Sequence, residues 1–192
     1  MSYCLGMSVA GSLLGQNLHE VDPQRFVKGL TDILNQKQPE FSAEEANHII
    51  QTYLQESAAK QFEEFKTQGE TFLKENAQRD GITVTSTGLQ YEIIEEGKGK
   101  KPSAQDTVKV HYHGSLIDGT VFDSSMERGV PAEFGVHQVI PGWTEALQLM
   151  AEGSKYRLYI PQELAYGSSP HPGGPIKPFM TLIFDVELIS IS

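Results

Sequence analysis

Cysteine is almost absent from this sequence, which contains a single residue of this type, Cys4. One cysteine cannot form a disulfide within the chain, so the fold must be stabilised without such a link. A reducing compartment is the simplest environment for a chain of this kind.

Positive charge is also scarce. The chain has 15 Lys and Arg residues against 25 Asp and Glu residues, which gives a formal net charge of −10 at pH 7. A surface with this balance repels phosphate backbones and anionic membrane surfaces. We therefore expect no nucleic-acid partner.

Long hydrophobic runs are missing as well. No apolar run approaches the roughly 20 residues that span a bilayer. The first positively charged side chain is Arg25, so no basic segment precedes an apolar one as in a signal peptide. We expect no membrane insertion and a cytoplasmic location, whereas a periplasmic or surface location would require that a leader had been removed.

Two sequence patterns are present, and they change near Asp80. Helical periodicity prevails before it, whereas short runs rich in Thr, Val, Ile and Tyr and punctuated by glycine follow Gly81. We predict a helical region over residues 1–40, a long helix over 41–80 and a sheet domain over 81–192.

The helical region contains two short helices. Apolar residues recur at helical spacing from Tyr3 to Leu18, with three glycines that permit close backbone approach. Asp22 followed by Pro23 is typical of an N-cap and a first helical position, so a second helix begins there and ends near Gln36.

A third helix is predicted to begin at the capping box formed by Ser42 and Glu45. It meets no proline before the turn at Asp80-Gly81, and a helix of about 38 residues would be about 57 Å long. Its apolar stripe is broad near Ile49 and narrows toward Phe72, where we expect the helix to be mostly solvated.

The first two helices comprise fewer than about 40 residues, too few to sustain a hydrophobic core alone. A symmetric homodimer formed through the N-terminal helices is the economical way to bury their apolar faces. A monomer whose arm folds back is the alternative that the sequence leaves open.

The sheet domain is predicted from alternation. Apolar and polar residues alternate over Val108–His113 and again over Leu182–Leu188, and Asp118-Gly119 supplies a tight turn. Pro141-Gly142-Trp143 opens a short helix. The expected fold class is α+β, an antiparallel sheet wrapped around a short helix and preceded by an all-helical arm.

The segment from Val110 to Trp143 carries aromatic rings beside one carboxylate, Asp123, and almost no nucleophile. This inventory indicates a dry pocket for an uncharged group rather than a bond-breaking site.

Five motifs in this order resemble the FKBP-type peptidyl-prolyl isomerases: V-H-Y-H-G, D-G-T-V-F-D-S-S, V-I-P-G-W, L-A-Y-G and T-L-I-F-D-V-E-L. The resemblance covers residues 84–192. The arm, with S-Y-C-L-G and F-V-K-G-L, resembles the macrophage infectivity potentiator and FklB-like branch, whose members form V-shaped dimers through their N-terminal helices.

The resemblance implies a pocket with Trp143 as its floor. The other members at matching motif positions would be Tyr112, Phe122, Asp123, Val139, Ile140, Tyr166, Ile176 and Phe184, with Arg128 near the rim. The Ile140 N–H and the Tyr166 hydroxyl would bind substrate carbonyls. Asp123 would orient Tyr112 and interact with the twisting carbonyl.

The implied activity is cis–trans isomerisation of X-Pro bonds in unfolded or partly folded polypeptides, with no cofactor or metal and with chaperone action by the dimer. Residues 81–192 would then be the isomerase domain, 1–40 the dimerisation region and 41–80 its stalk helix. Macrolide inhibitors such as tacrolimus or rapamycin would enter the same pocket.

Two departures from the family pattern predict altered selectivity. The loop Ser168–Pro175 is longer by about one residue than the common form, and its prolines limit its conformations. Ala132 stands where a larger aromatic residue often lines the groove, which would leave that wall shallower.

Simpler structural interpretations exist for single residues. Asp123 could be a turn aspartate that accepts from the amides of Ser124 and Ser125. Phe122 and Phe184 fit an ordinary sheet core equally well, so their placement depends on the resemblance.

The sequence also admits functions other than isomerisation. A dimeric chaperone or adaptor that only binds unfolded chains is the main alternative. A metal site from His111, His113, His137 and His171 is disfavoured, since two-residue spacing is weak evidence. A hydrolase built on Ser124 or Ser125 fails for lack of a nucleophile elbow.

Overall fold

The computed structural model describes residues 1–15, 18 and 20–192, which divide into two compact units, Met1–Ala59 and Lys60–Ser192. The helices are α1 Ser2–Gly15, α2 Pro23–Leu34, α3 Ala43–Asn76, α4 Ser125–Arg128 and α5 Pro141–Leu149. The strands are β1 Ile82–Val84, β2 Gln90–Glu95, β3 Thr107–Leu116, β4 Val121–Ser124, β5 Ala132–Gly135, β6 Lys155–Ile160 and β7 Leu182–Ile191. In this described part, no helix combines the length and apolar character needed to cross a membrane.

The described part of helix α1 covers Ser2–Gly15. Leu18, where the predicted helix ends, lies outside the helix. Residues 16 and 17 of the predicted helix lie outside the described range. The Leu18 N–H donates to the Leu13 carbonyl at 3.0 Å.

The predicted start of α2 is confirmed. Asp22 is its N-cap and accepts hydrogen bonds from the Gln24 and Arg25 amides at 2.8 and 3.1 Å, which satisfies two of the unpaired donors of the first turn. The helix ends at Leu34, slightly before the predicted end, and Gln36 beyond it takes a left-handed φ of 54°.

The capping box of α3 is also confirmed. Glu45 N–H donates to Ser42 Oγ at 3.2 Å, and Ser42 N–H donates to Glu45 Oε2 at 2.8 Å. This reciprocal pair fixes the first turn of a helix of 34 residues.

The N-terminal unit leaves apolar side chains uncovered. No residue of α1 or α2 is buried within the chain. Leu30 and Ile33 on α2 are 49% and 62% exposed, and Ile49 and Ile50 at the start of α3 are about half exposed. The described residues of this unit therefore do not form a closed hydrophobic core of their own.

The C-terminal unit contains the predicted antiparallel sheet. Its strand order is β1-β2-β6-β7-β3-β4, and β5 pairs with β3 beside this path. Every ladder is antiparallel. Helix α5 adds Trp143, Ala146 and Leu147 to the buried core, so the α+β class is confirmed.

The central strand β3 alternates strictly between buried and half-buried residues over its whole length. Val108, Val110 and Tyr112 belong to the core, whereas the intervening residues lie on the other face. Strand β7 repeats the pattern with Leu182, Phe184, Val186 and Leu188. The predicted half-buried strands are confirmed.

The expectation that α3 is mostly solvated near Phe72 is wrong. Gly69 and Asn76 are buried, and the Phe72 ring lies 6.0 Å from the Tyr159 ring of β6. A Cβ on Gly69 would approach Thr181 Oγ1 to 2.5 Å, so glycine permits this close packing. The apolar pattern of the helix could not predict this packing, because it depends on a glycine that has no side chain.

A buried amide pair joins the end of α3 to β2. Asn76 Nδ2 donates to Gln90 Oε1 at 2.9 Å, and Gln90 Nε2 donates to the Leu73 carbonyl at 2.8 Å. Arg79 Nη1 completes the network by donating to Asn76 Oδ1 at 2.7 Å. Each amide therefore has partners, as burial requires.

Replacing Asn76 by Ala should lower the free energy of unfolding by about 1–3 kcal/mol, because Gln90 Oε1 would stay buried without its donor. Urea denaturation of the full chain measures the change. Gln78→Ala is the control, because it removes an exposed side-chain amide two residues after Asn76. Equal midpoints for the two variants would contradict this prediction.

Candidate active site

Four elements bring aromatic rings together in the core of the C-terminal unit. Trp143 of α5 lies 5.2 Å from the Phe184 ring of β7 and 5.4 Å from the Tyr112 ring of β3, in edge-to-face geometry. Phe122 of β4 meets Phe184 at 5.3 Å. These distances are the ones at which edge and face of aromatic rings attract, so the rings form a well-defined apolar wall.

Glycine on β3 makes room for this wall. Gly114 pairs with Phe184 across the β3–β7 ladder. A Cβ at Gly114 would lie 2.6 Å from the Phe122 ring and 2.8 Å from the Phe184 ring, closer than packing allows. The last residue of V-H-Y-H-G thus has a steric role in the site.

Asp123 is the charged group beside this wall. Its Oδ2 accepts a hydrogen bond from the Tyr112 hydroxyl at 2.5 Å, and its Oδ1 accepts one from Arg128 Nη1. Arg128 Nη2 also donates to the Tyr112 hydroxyl at 2.8 Å, and its guanidinium lies 5.6 Å from the Tyr112 ring centre. The carboxylate thus has two side-chain partners, and the Ser124 backbone amide, a partner expected of a turn aspartate, lowers its pKa as well.

Burial and neighbouring groups shift the pKa values of Asp123, Tyr112 and Tyr166. Burial alone would raise the pKa of Asp123, but the hydrogen bonds from Tyr112 and Arg128 outweigh it and lower this pKa below 3.8. Burial, and then the bond to Asp123, raises the pKa of Tyr112. Burial, and then the charge of Asp123, raises the pKa of Tyr166. At neutral pH the site holds one carboxylate and two neutral phenols.

The remaining predicted residues pack against the same core. Val139, Ile140, Tyr166 and Ile176 are partly buried and contact it. Ile140 precedes α5, and its carbonyl accepts from the Trp143 and Thr144 amides at 2.9 and 3.1 Å. Among the described residues, none accepts a backbone hydrogen bond from the Ile140 N–H. The Tyr166 ring faces His171 at 6.0 Å.

One member of the aromatic wall was not predicted. Phe134 of β5 lies 5.8 Å from the Trp143 ring and 6.0 Å from the Tyr112 ring. Strand alternation could have identified it, because Phe134 and Ala132 are two residues apart and share a face. Phe134 and Ala132 both pack against the core.

The histidines of β3 contact hydroxyl groups. His111 Nδ1 lies 3.1 Å from Ser125 Oγ, and His113 Nδ1 lies 3.1 Å from Ser124 Oγ. His137 Nδ1 lies 3.2 Å from the Ala104 carbonyl. Over residues 1–15, 18 and 20–192, no three His, Cys, Asp or Glu side chains are grouped to hold a metal ion.

Two family models together match nearly the whole chain. The model described as "FKBP-type peptidyl-prolyl cis-trans isomerase" matches residues 98–189. The model described as "Domain amino terminal to FKBP-type peptidyl-prolyl isomerase" matches residues 1–93.

Relatives match over nearly the whole chain. The "FKBP-type 22 kDa peptidyl-prolyl cis-trans isomerase" of Escherichia coli is 44% identical over 99% of this chain and 93% of that protein. The "Outer membrane protein MIP" of Legionella longbeachae is 42% identical over 100% of this chain and 84% of that protein. The crystal structure of FkpA from Escherichia coli matches with a TM-score of 0.83 and 37% identity, over 100% of this chain and 94% of that one.

The fold and the matched relatives define a peptidyl-prolyl isomerase. This chain belongs to the FKBP-type peptidyl-prolyl cis-trans isomerase family, with the additional N-terminal region that part of the family carries. The substrates of this enzyme class are proline-containing polypeptides. The expected cytoplasmic location has no support among the relatives, one of which is named an outer membrane protein.

The ionisation states of these groups predict that kcat/KM changes little with pH around neutrality. Asp123, with its lowered pKa, should stay ionised above about pH 5, and Tyr112 and Tyr166, with raised pKa values, should stay neutral below about pH 9. Titration of these three groups should therefore cause no rise or fall in kcat/KM between those limits. The measurement is the pH profile of kcat/KM on a short X-Pro peptide. A limb that is present in the wild type and disappears in Asp123→Asn would contradict this.

Proposed function

We propose that the chain isomerises X-Pro bonds in the apolar space beside Trp143, Tyr112 and Phe184. The observation that carries the proposal is the edge-to-face aromatic wall next to a single carboxylate that is bonded to Tyr112. An X-Pro amide loses its resonance when it twists, and charge separation across its C–N bond falls. A water-poor apolar wall favours the twisted state over the planar one.

The energy that this mechanism must provide is modest. Uncatalysed isomerisation takes tens of seconds, so millisecond turnover requires an acceleration of about 10⁴-fold. That factor corresponds to about 5.5 kcal/mol of differential stabilisation. Exclusion of water and a few hydrogen bonds can supply it without covalent chemistry.

Each polar group has a proposed role. The Ile140 N–H, with no backbone acceptor among the described residues, would donate to a substrate carbonyl, and the Tyr166 hydroxyl would donate to a second one. Asp123, kept ionised by Arg128 and Tyr112, would hold the Tyr112 ring and interact with the twisting carbonyl.

The apolar residues form the proposed walls. Trp143 is the floor, and the side walls are Phe122, Val139, Ile176 and Phe184, with Phe134 added from the structure. Arg128, half exposed, lies at the rim. Tacrolimus and rapamycin would compete with the substrate for this space.

The cis-to-trans rate of a short Leu-Pro peptide tests the site. The wild type should accelerate it strongly, and Asp123→Ala and Trp143→Ala should each lower kcat/KM by at least about tenfold. Glu133→Ala, at an exposed carboxylate on β5, should have no effect. Circular dichroism checks that all variants are folded. A folded wild type without activity would favour the binding-only chaperone.

We further propose a homodimer in which residues 1–40 form the dimerisation region, 41–80 the stalk helix and 81–192 the isomerase domain. The uncovered apolar side chains of α2 and of the start of α3 support this proposal, since a second copy would bury them. Two linked sites would raise the effective concentration on a client chain with several prolines, which supports chaperone action.

The double substitution Leu30→Asp and Ile33→Asp should raise the dissociation constant of the dimer by at least about tenfold, measured by sedimentation equilibrium. Peptide isomerisation should be unchanged, while refolding of a large proline-containing client should slow. Gln24→Asp and Gln38→Asp together add the same charge at exposed polar sites as a control. A monomeric wild type at micromolar concentration would support the folded-back arm instead.

A further inference from the structure

Ser125 is a fully buried polar residue beside the site for which the mechanism above has no role. It directly follows β4, is the first residue of α4, and is 0% exposed. Its Oγ accepts a hydrogen bond from the Tyr112 N–H at 2.8 Å. The same oxygen lies 3.3 Å from the Tyr112 carbonyl and 3.1 Å from His111 Nδ1.

The position of Ser125 corresponds to a gap in the sheet. One edge of β3 pairs with β7 along the strand. The other edge pairs with β5 over Thr107–Val110 and with β4 over His113–Ser115, which leaves His111 and Tyr112 without a strand partner on that side. Ser125 Oγ fills this gap, contacting both backbone polar groups of Tyr112.

The segment Asp123–Ser125 therefore contacts Tyr112 at both ends. Ser125 binds its backbone, whereas Asp123 binds its hydroxyl at 2.5 Å. A shift of the Tyr112 backbone would move the hydroxyl relative to Asp123 and Trp143. This hydroxyl is bonded to Asp123, the group proposed to interact with the twisting carbonyl, and small displacements of such a group cost large factors in rate.

We propose that Ser125 is a positioning residue for the Tyr112 hydroxyl in prolyl isomerisation. The inference depends on the function proposed above. It assigns to the second serine of D-S-S a role distinct from that of the first, because Ser124 Oγ instead caps α4 by accepting from the Glu127 N–H at 3.2 Å.

Ser125→Ala should lower kcat on a short Leu-Pro peptide by about tenfold with little change in KM, because the apolar walls remain while the hydroxyl moves. The Tyr112 amide should also lose protection in hydrogen-exchange NMR. Ser125→Cys keeps a weak donor and acceptor on a somewhat larger atom, so its kcat should fall between those of the wild type and Ser125→Ala; it also serves if Ser125→Ala does not fold.

A double-mutant cycle separates positioning from a general structural role. In a Tyr112→Phe background the hydroxyl is already gone, so Ser125→Ala should cost almost nothing further in kcat. A loss of the same factor in both backgrounds would overturn the proposal, as would an unchanged kcat in Ser125→Ala.

Ser154→Ala is the matched control. Ser154 is likewise buried, at 1% exposed, and its hydroxyl has no hydrogen-bond partner among the described residues, so its removal should leave kcat unchanged. An inactive but folded wild type would overturn both this inference and the isomerase proposal. An active wild type with an insensitive Ser125 would overturn this inference alone.

Discussion

The register of β3 against β7 is the constraint on which the site depends. It pairs Tyr112 with Val186 and Gly114 with Phe184. The Tyr112 and Phe184 side chains therefore lie on the inner face of the sheet, where Gly114 leaves room for the rings. A shift of one residue would turn every one of these side chains to the other face. Helix α5 can then place Trp143 against rings from both strands. The alternation that buries the core and the alternation that builds the aromatic wall are therefore the same pattern.

The charged groups of this site are the Asp123 carboxylate and the Arg128 guanidinium that is bonded to it. Asp123 is neutralised in part by Arg128 and bonded by Tyr112, while burial keeps both tyrosine hydroxyls protonated. Such a site offers a fixed dipole and an apolar surface rather than a nucleophile or a proton acceptor. This is the chemistry that suits rotation about an amide bond, in which no covalent bond has to break.

Local features were predictable because they depend on neighbours in sequence. The N-cap at Asp22, the capping box at Ser42 and the alternation of β3 each follow from a few adjacent residues, and the structure contains all three. Contacts between distant residues were missed. Phe134, the Asn76–Gln90 pair and the packing at Gly69 join elements that no periodicity connects. The resemblance to a family named candidate pocket residues, yet it omitted Phe134 and gave Ser125 no role.

By itself, the sequence determined the three N-terminal helices, the helix that Pro141 opens, the buried face of β3 and β7, and the family, because side-chain pattern and motif spacing encode them directly. Only the tertiary structure decided which side chains meet. Tyr112 and Asp123 are separated by a hairpin, and Ser125 reaches Tyr112 through a gap between two partner strands. Such contacts depend on strand register and on the space left by glycine, and these are settled only when the whole sheet packs at once.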